Sequence, residues 1–312
     1  MLARWVSISC LPLRLASMKS PKSRVEQVLS PLLGLLFFLQ AGILVTGGIV
    51  RLTNSGLGCP TWPRCTNESL IPVVNQAEGQ LRSWIEFGNR LIAVALVLIA
   101  LLALIAVLYL KRSDIRALSV GQLVGVMAQI PLGGITVLTD LNPFSVASHF
   151  ILSIILIAAA TSLFNRRELD RQRQPIENST LKTLTRWLVG LTAAVIVIGT
   201  GVTGAGPHAG DYSAPRFRIK IEIITWLHST LAIALLLLSV YLLALSRVDA
   251  ELRKRVLVFI ALTIVQGIIG FVQYDLGLPE LLVALHLLGV TLVWIGAWRI
   301  NLLTIKSPAV ID

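Results

Sequence analysis

Eight runs of about 20 or more mostly apolar residues leave this chain few ways to fold. They lie at roughly 29–50, 84–110, 115–138, 145–165, 183–205, 221–246, 255–274 and 280–303. At 1.5 Å per residue each can cross the ~30 Å hydrocarbon core of a bilayer. Backbone N–H and C=O groups in lipid must be bonded within their own segment, so the runs are helices despite their Val and Ile content. The expected fold is an all-α membrane protein of eight transmembrane helices. Composition agrees: 55% of residues are hydrophobic and 14% charged, with a mean hydropathy of +0.80, where soluble domains carry about 25% charged residues. The net charge of +11 does not mark a nucleic-acid binder, because the basic residues sit in short loops between apolar runs.

Those basic residues orient the chain. With the N-terminus inside, 20 of the 27 Lys and Arg residues fall in inside segments, which places both termini in the cytoplasm of a cell-membrane protein. Residues 1–28 read as a cytoplasmic tail. Its apolar stretch, Val6 to Leu15, is too short to span, contains Arg14 and has a poor small-residue cleavage pattern; Met18 is an alternative start. Residues 29–165 form a first four-helix half, 166–182 a polar cytoplasmic linker, 183–303 a second four-helix half, and 304–312 a short tail.

The two halves repeat each other. Gln129 to His149 reads QIPLGGITVLTDLNPFSVASH, and Gln266 to His286 reads QGIIGFVQYDLGLPELLVALH. Each has the Gln-to-His spacing of twenty, an Asp-Leu turn and a Pro before the histidine, and the copies are 137 residues apart. A repeat of this length means one structural unit built twice.

Ionisable residues inside spans are usually functional. His149, His228 and His286 lie at similar depths in the fourth, sixth and eighth spans, ~7–12 Å below the outer surface. His228 and His286, on neighbouring helices of one half, suit the two faces of a haem iron better than zinc, which lacks further ligands here. Arg216, Arg218 and Lys220 run against the charge bias, and haem propionates at the outer surface give them a partner. By the repeat, His149 corresponds to His286, and aligning LHSTLAIALLLL with GNRLIAVALVLI puts Asn89 where the second half has His228. Glu86 precedes Asn89 by three residues and shares its helix face, so it is expected near His149 as a base or a stabiliser of developing positive charge. Arg90 is expected to pair with Glu86 or a propionate. Cys59 and Cys65 share an outward-facing loop, where a disulfide is expected over two free thiols. His208, in the outer loop GAGPHAGD, reads as structural.

From Pro31 to Leu303 the chain resembles the heme A synthase family. The matching motifs are GGIVRLTNSGLGCPTWPRC, WIEFGNR, the two Gln-to-His segments, GTGVTGAGPHAGD and WLHSTLA. The resemblance implies two pseudo-twofold-related four-helix bundles, heme b in the C-terminal half and the substrate heme O in the N-terminal half. The implied reaction oxidises the C8 methyl of heme O to a formyl group, with oxygen from water, giving heme A for terminal oxidases. It implies His228 and His286 as heme b ligands, His149 as substrate-side ligand, Glu86 as the essential carboxylate, and Cys59 with Cys65 as the family's cysteine pair. Implied partners are the bilayer, heme O synthase, a quinone or other electron acceptor, and a second copy of the chain. Many members have a histidine at Asn89, so here one coordination position is open or water is held by Asn89. Some members carry a later cysteine pair where this chain has His208. The alternatives are a b-type cytochrome passing electrons from quinol to a partner, which has no need of Glu86, and a parallel-repeat transporter, which needs broken helices that the sequence does not contain.

Overall fold

The computed structural model describes residues 21–167 and 174–306. Most of the expected N-terminal tail, with Cys10 and Met18, the centre of the linker (168–173) and residues 307–312 lie outside the described residues. Among the described residues there are eight helices long and apolar enough to cross a membrane, and no strand. They are α1 (Pro21–Leu52), α2 (Gln80–Tyr109), α3 (Ser113–Leu138), α4 (Pro143–Asn165), α5 (Ser179–Ala205), α6 (Ile221–Leu245), α7 (Ala250–Asp275) and α8 (Glu280–Asn301). Most extend past the apolar runs, and polar side chains cap the starts of three of them. Asn142 accepts from Phe144 N ahead of α4, with Pro143 at its first position. Asn178 accepts from Leu181 N and Asp249 from Leu252 N at 3.0 and 2.9 Å, starting α5 and α7.

The repeat is visible in the packing. Helices α1 to α4 pack in sequence and close through α1 against α4; α5 to α8 do the same and close through α5 against α8. Each ring has its own apolar core, one around Leu33, Leu36, Ile115 and Leu163, the other around Leu188, Leu242, Phe259 and Ile300. A third cluster, with Leu44, Ile157, Ile196 and Trp294, joins the halves where α1 and α4 meet α8. Two indoles fix that seam: Trp294 Nε1 donates to Ile154 O and Trp298 Nε1 to Ser162 Oγ, both at 2.8 Å.

At one end of the bundle, Arg112 makes a buried two-point pair with Asp114 at 2.8 Å and donates to Arg166 O, tying the α2–α3 turn to the end of α4. The opposite end carries the loops after α1, α3, α5 and α7. They knit together: Gly56 N donates to Gly210 O at 2.8 Å, Leu141 packs on both glycines, and His208 Nε2 is 2.7 Å from Leu278 O. His208 therefore ties the α5–α6 loop to the α7–α8 turn, as its structural reading expects.

Candidate functional site: three histidines near the loop-rich end

His149, His228 and His286 lie six, seven and six residues past the first residues of α4, α6 and α8. All three helices start at the loop-rich end, so the imidazoles share a depth ~9–11 Å in from it.

In the second half, the His228 and His286 rings have centroids 6.4 Å apart at an interplanar angle of 69°. One metal ion between two imidazoles needs about 2 Å per metal–nitrogen bond and about 1.1 Å from each nitrogen to its ring centre, on the order of 6 Å in all. His228 Nδ1 lies 3.0 Å from Val195 O on α5. A carbonyl only accepts, so Nδ1 carries the hydrogen and Nε2 keeps its lone pair for a metal. Glycines let the neighbouring helices reach the rings: a Cβ on Gly199 would sit 3.1 Å from His228 Cε1, and one on Gly270 3.4 Å from His286 Cε1. The donor set, its spacing and this close glycine lining fit a haem held by two histidines.

In the first half the frame recurs with different contents. A Cβ on Gly133 would lie 3.3 Å from His149 Cε1, matching Gly270 and His286 at the same 137-residue offset. Gly47 on α1 faces Asn89 as Gly199 faces His228, with its Cβ position 3.9 Å from Asn89 Nδ2. Thr46 Oγ1 donates to Asn89 Oδ1 at 2.7 Å and lies 3.2 Å from Ile43 O. Sequence reading aligned Asn89 with His228 but missed Thr46, whose signal was its place beside Gly47. Gln129 Nε2 donates to Ser153 Oγ at 2.7 Å and to His149 O at 3.2 Å, which steadies the first turn beyond His149.

The loop after α1 covers this half. Cys59 and Cys65 form a disulfide with Cα atoms 4.3 Å apart. Glu86, 6% exposed, anchors it: Cys59 N donates to Glu86 Oε2 at 2.6 Å, and Arg90 Nη2 donates to Glu86 Oε1 at 2.6 Å. Arg90 also donates to Cys59 O and Thr61 O at 3.0 and 3.2 Å. The i, i+4 pair thus clamps the turn from both sides, with Arg90 on Glu86, one of the two partners expected for it. Trp62 in the same turn lies directly on α3, so close that a Cβ on Gly134 would come within 2.6 Å of its ring. Gly134 is the neighbour of the glycine against His149, so the loop reaches the helix that backs the first-half histidine.

The basic residues of the α5–α6 loop divide. Arg216 donates to Ala214 O and Pro207 O at 3.1 and 2.6 Å and so holds its own loop. Arg218 and Lys220 are exposed just ahead of α6. Arg82 of α2 pairs with Asp211, linking the two halves at this end. Burial pushes the Asp211 carboxyl up, but bonds from Ser213 N and Oγ together with the Arg82 guanidinium outweigh it and hold the group below the usual carboxylate range. Arg51 donates to Thr203 O, joining α1 to α5.

Residues 31–210, more than half of the chain, match the model of the COX15-CtaA cytochrome oxidase assembly proteins. The chain belongs to this family. The matched stretch takes in the disulfide loop, Glu86, Asn89 and His149, and stops short of His228 and His286. Among curated COX15-CtaA-like relatives, the Heme A synthase of Geobacillus kaustophilus is 34% identical over 111 residues, 34% of this chain and 32% of that protein. The Heme A synthase of Exiguobacterium sibiricum is 31% identical over 163 residues, 51% of this chain and 53% of that protein. That of Shewanella oneidensis is 28% identical over 186 residues, 55% and 54% respectively. The chain thus spans about a third to about half the length of the relatives it matches.

Proposed function

We propose that this membrane protein oxidises the C8 methyl of heme O to a formyl group, giving heme A for terminal oxidase biogenesis. The observation that carries the reading is the pair of unequal histidine sites in one repeated frame. Two imidazoles stand 6.4 Å apart in the second half, whereas the first has one imidazole, His149, and an asparagine at the place that matches His228. The Heme A synthase relatives support it. His228 and His286 hold heme b, which when bound relays electrons one at a time. His149 orients the substrate in the first half, and Gly133 and Gly47 leave room beside it.

Converting a methyl and a water to a formyl group releases four protons and four electrons. The electron acceptor is of the quinone class or another membrane carrier. Glu86 is the carboxylate placed to take a proton or steady positive charge, held in position by Cys59 N and Arg90. Arg218 and Lys220, with Arg216 behind them, face the propionates. The loop-rich end lies outside the plasma membrane and both termini lie in the cytoplasm.

A b-type cytochrome uses the same histidines. In its favour, both Glu86 oxygens are already engaged by the loop. Pigment extraction from a host that makes heme O separates the two readings. Heme A appearing only when this chain is expressed supports the enzyme; unchanged heme O with bound heme b supports the cytochrome.

A further inference from the structure

The position that His228 fills in the second half is filled in the first by two residues acting together. In both halves a glycine backs this position, Gly199 or Gly47; four residues before it, Val195 O meets the His228 imidazole across helices, whereas Ile43 O lies 3.2 Å from the Thr46 hydroxyl on its own helix. In the second half the carbonyl takes the imidazole N–H directly. In the first half the Thr46 hydroxyl stands in between and donates to Asn89 Oδ1 at 2.7 Å. At the corresponding place on α5 the residue is Ile198, which has no polar group. Thr46 is therefore paired with the asparagine as Val195 O is paired with the histidine. Each fixes one end of its polar side chain and leaves the other end for a ligand.

An amide is a poor ligand for haem iron but a good hydrogen-bond donor. With Oδ1 engaged by Thr46, Nδ2 is the end left over, and the bare Cα of Gly47 leaves space next to it. An imidazole there would fill the sixth iron position. An amide is shorter and leaves room for one small molecule.

We propose that Asn89, oriented by Thr46, holds a water molecule opposite His149, so that a haem in the first half keeps one exchangeable axial position while the second-half haem has none. Asn89 is a binding residue and Thr46 a positioning residue. The inference rests on the reading of the first half as the substrate side, but it concerns only how that side takes a haem.

The test uses the full chain in detergent, loaded with ferric protoporphyrin IX and read by optical, resonance Raman and EPR spectra. The wild type is expected to bind two haems, one low-spin and one six-coordinate high-spin. Asn89→His should convert the high-spin half of the signal to low-spin without changing haem content. Asn89→Ala should turn that half five-coordinate. Thr46→Val should shift it the same way in part and move the acid–alkaline transition of the bound water, and Thr46→Ser should restore the wild-type spectrum. Two low-spin haems in the wild type, a single haem bound only in the second half, or an Asn89→His spectrum like the wild type at equal loading would each overturn the proposal. Heme O conversion is scored separately. Its absence alongside the expected spin states would remove the enzymatic reading and leave the ligand assignment standing.

Discussion

The two halves share a frame and differ in what the frame holds. At the deep end of α3 the first half buries Gln122, which donates to the buried Gln40 of α1 at 2.9 Å; at the same repeat position the second half buries Phe259. One turn further, Ser119 matches Val256. Near the loop end, Gly134 lies under Trp62 of the disulfide loop, whereas its counterpart Phe271 is 74% exposed. At these matched positions the second half is apolar and the first is polar or glycine, and the first half is covered by a tied-down loop; the second half buries its polar groups elsewhere, as in the Thr185–Asn301–Thr304 cluster. A buried glutamine in place of phenylalanine weakens a core unless its amide is bonded, so the first half has kept these groups against the direction of simple packing. Duplication accounts for the shared glycines and histidines, and the differences are where the proposed division of work would lie.

The largest expected effect comes from removing one imidazole of the close pair. His286→Ala should abolish the low-spin haem spectrum of the full-length protein; a preserved low-spin signal would show that the 6.4 Å pair is not a ligand pair. Next is Glu86→Ala. Removing one partner of a buried pair leaves Arg90 and Cys59 N uncompensated, at a cost on the order of 3 kcal/mol, and should stop heme A formation while heme b stays bound. The Arg90 guanidinium keeps its carbonyl partners, so the protein should still fold. Normal heme A levels in this variant would confine Glu86 to anchoring the loop.

A matched pair of substitutions sharpens the contrast at the loop end. Gly134→Ala should push Trp62 off α3 and destabilise by about 1–3 kcal/mol as overpacking does, measured by thermal unfolding in detergent. Phe271→Ala, at the same repeat position but exposed, should change stability by less than about 0.5 kcal/mol. Equal effects would mean that the loop does not bear on α3 in the way the Trp62 contact requires.

A small effect is also expected where the halves meet at the loop-rich end. The Arg82–Asp211 pair is partly exposed, so Asp211→Asn should cost no more than about 1 kcal/mol. The sign of its pH dependence is fixed. The folded carboxyl is held below its ordinary value, so its contribution is complete above the unfolded pKa of about 3.9 and is lost as pH falls through the lower folded value. The wild-type advantage over Asp211→Asn should therefore be flat at neutral pH and shrink only in acid. A difference that grew on acidification would contradict the pairing.

What could be read from sequence alone was whatever lies along one helix or recurs at a fixed offset. The eight spans follow from local hydropathy. The three histidines and Asn89 follow from the repeat, and the cysteine pair from spacing and side. Contacts made through space between distant segments left little trace. Nothing in the sequence separates Thr46 from other interfacial threonines, or Gly134 from its glycine neighbour; their contacts come from α1 packing on α2 and from Trp62 lying on α3. Helical spacing put Glu86 on the face of Asn89 and within reach of Arg90, but it could not show that Cys59 N takes the other oxygen, because the covering loop returns from outside the helix. Arg216 illustrates the same limit: its charge suggested an anion, and its position gives it two loop carbonyls.

The central claim is that the halves divide the work, one keeping its haem and the other receiving the haem that is changed. It is tested most directly by the haem composition of purified His149→Ala protein from a host that makes heme O. The expected result is one protoheme per chain in low-spin form, with no heme O or heme A. Retention of heme O or heme A on this variant, or loss of protoheme with it, would contradict the division.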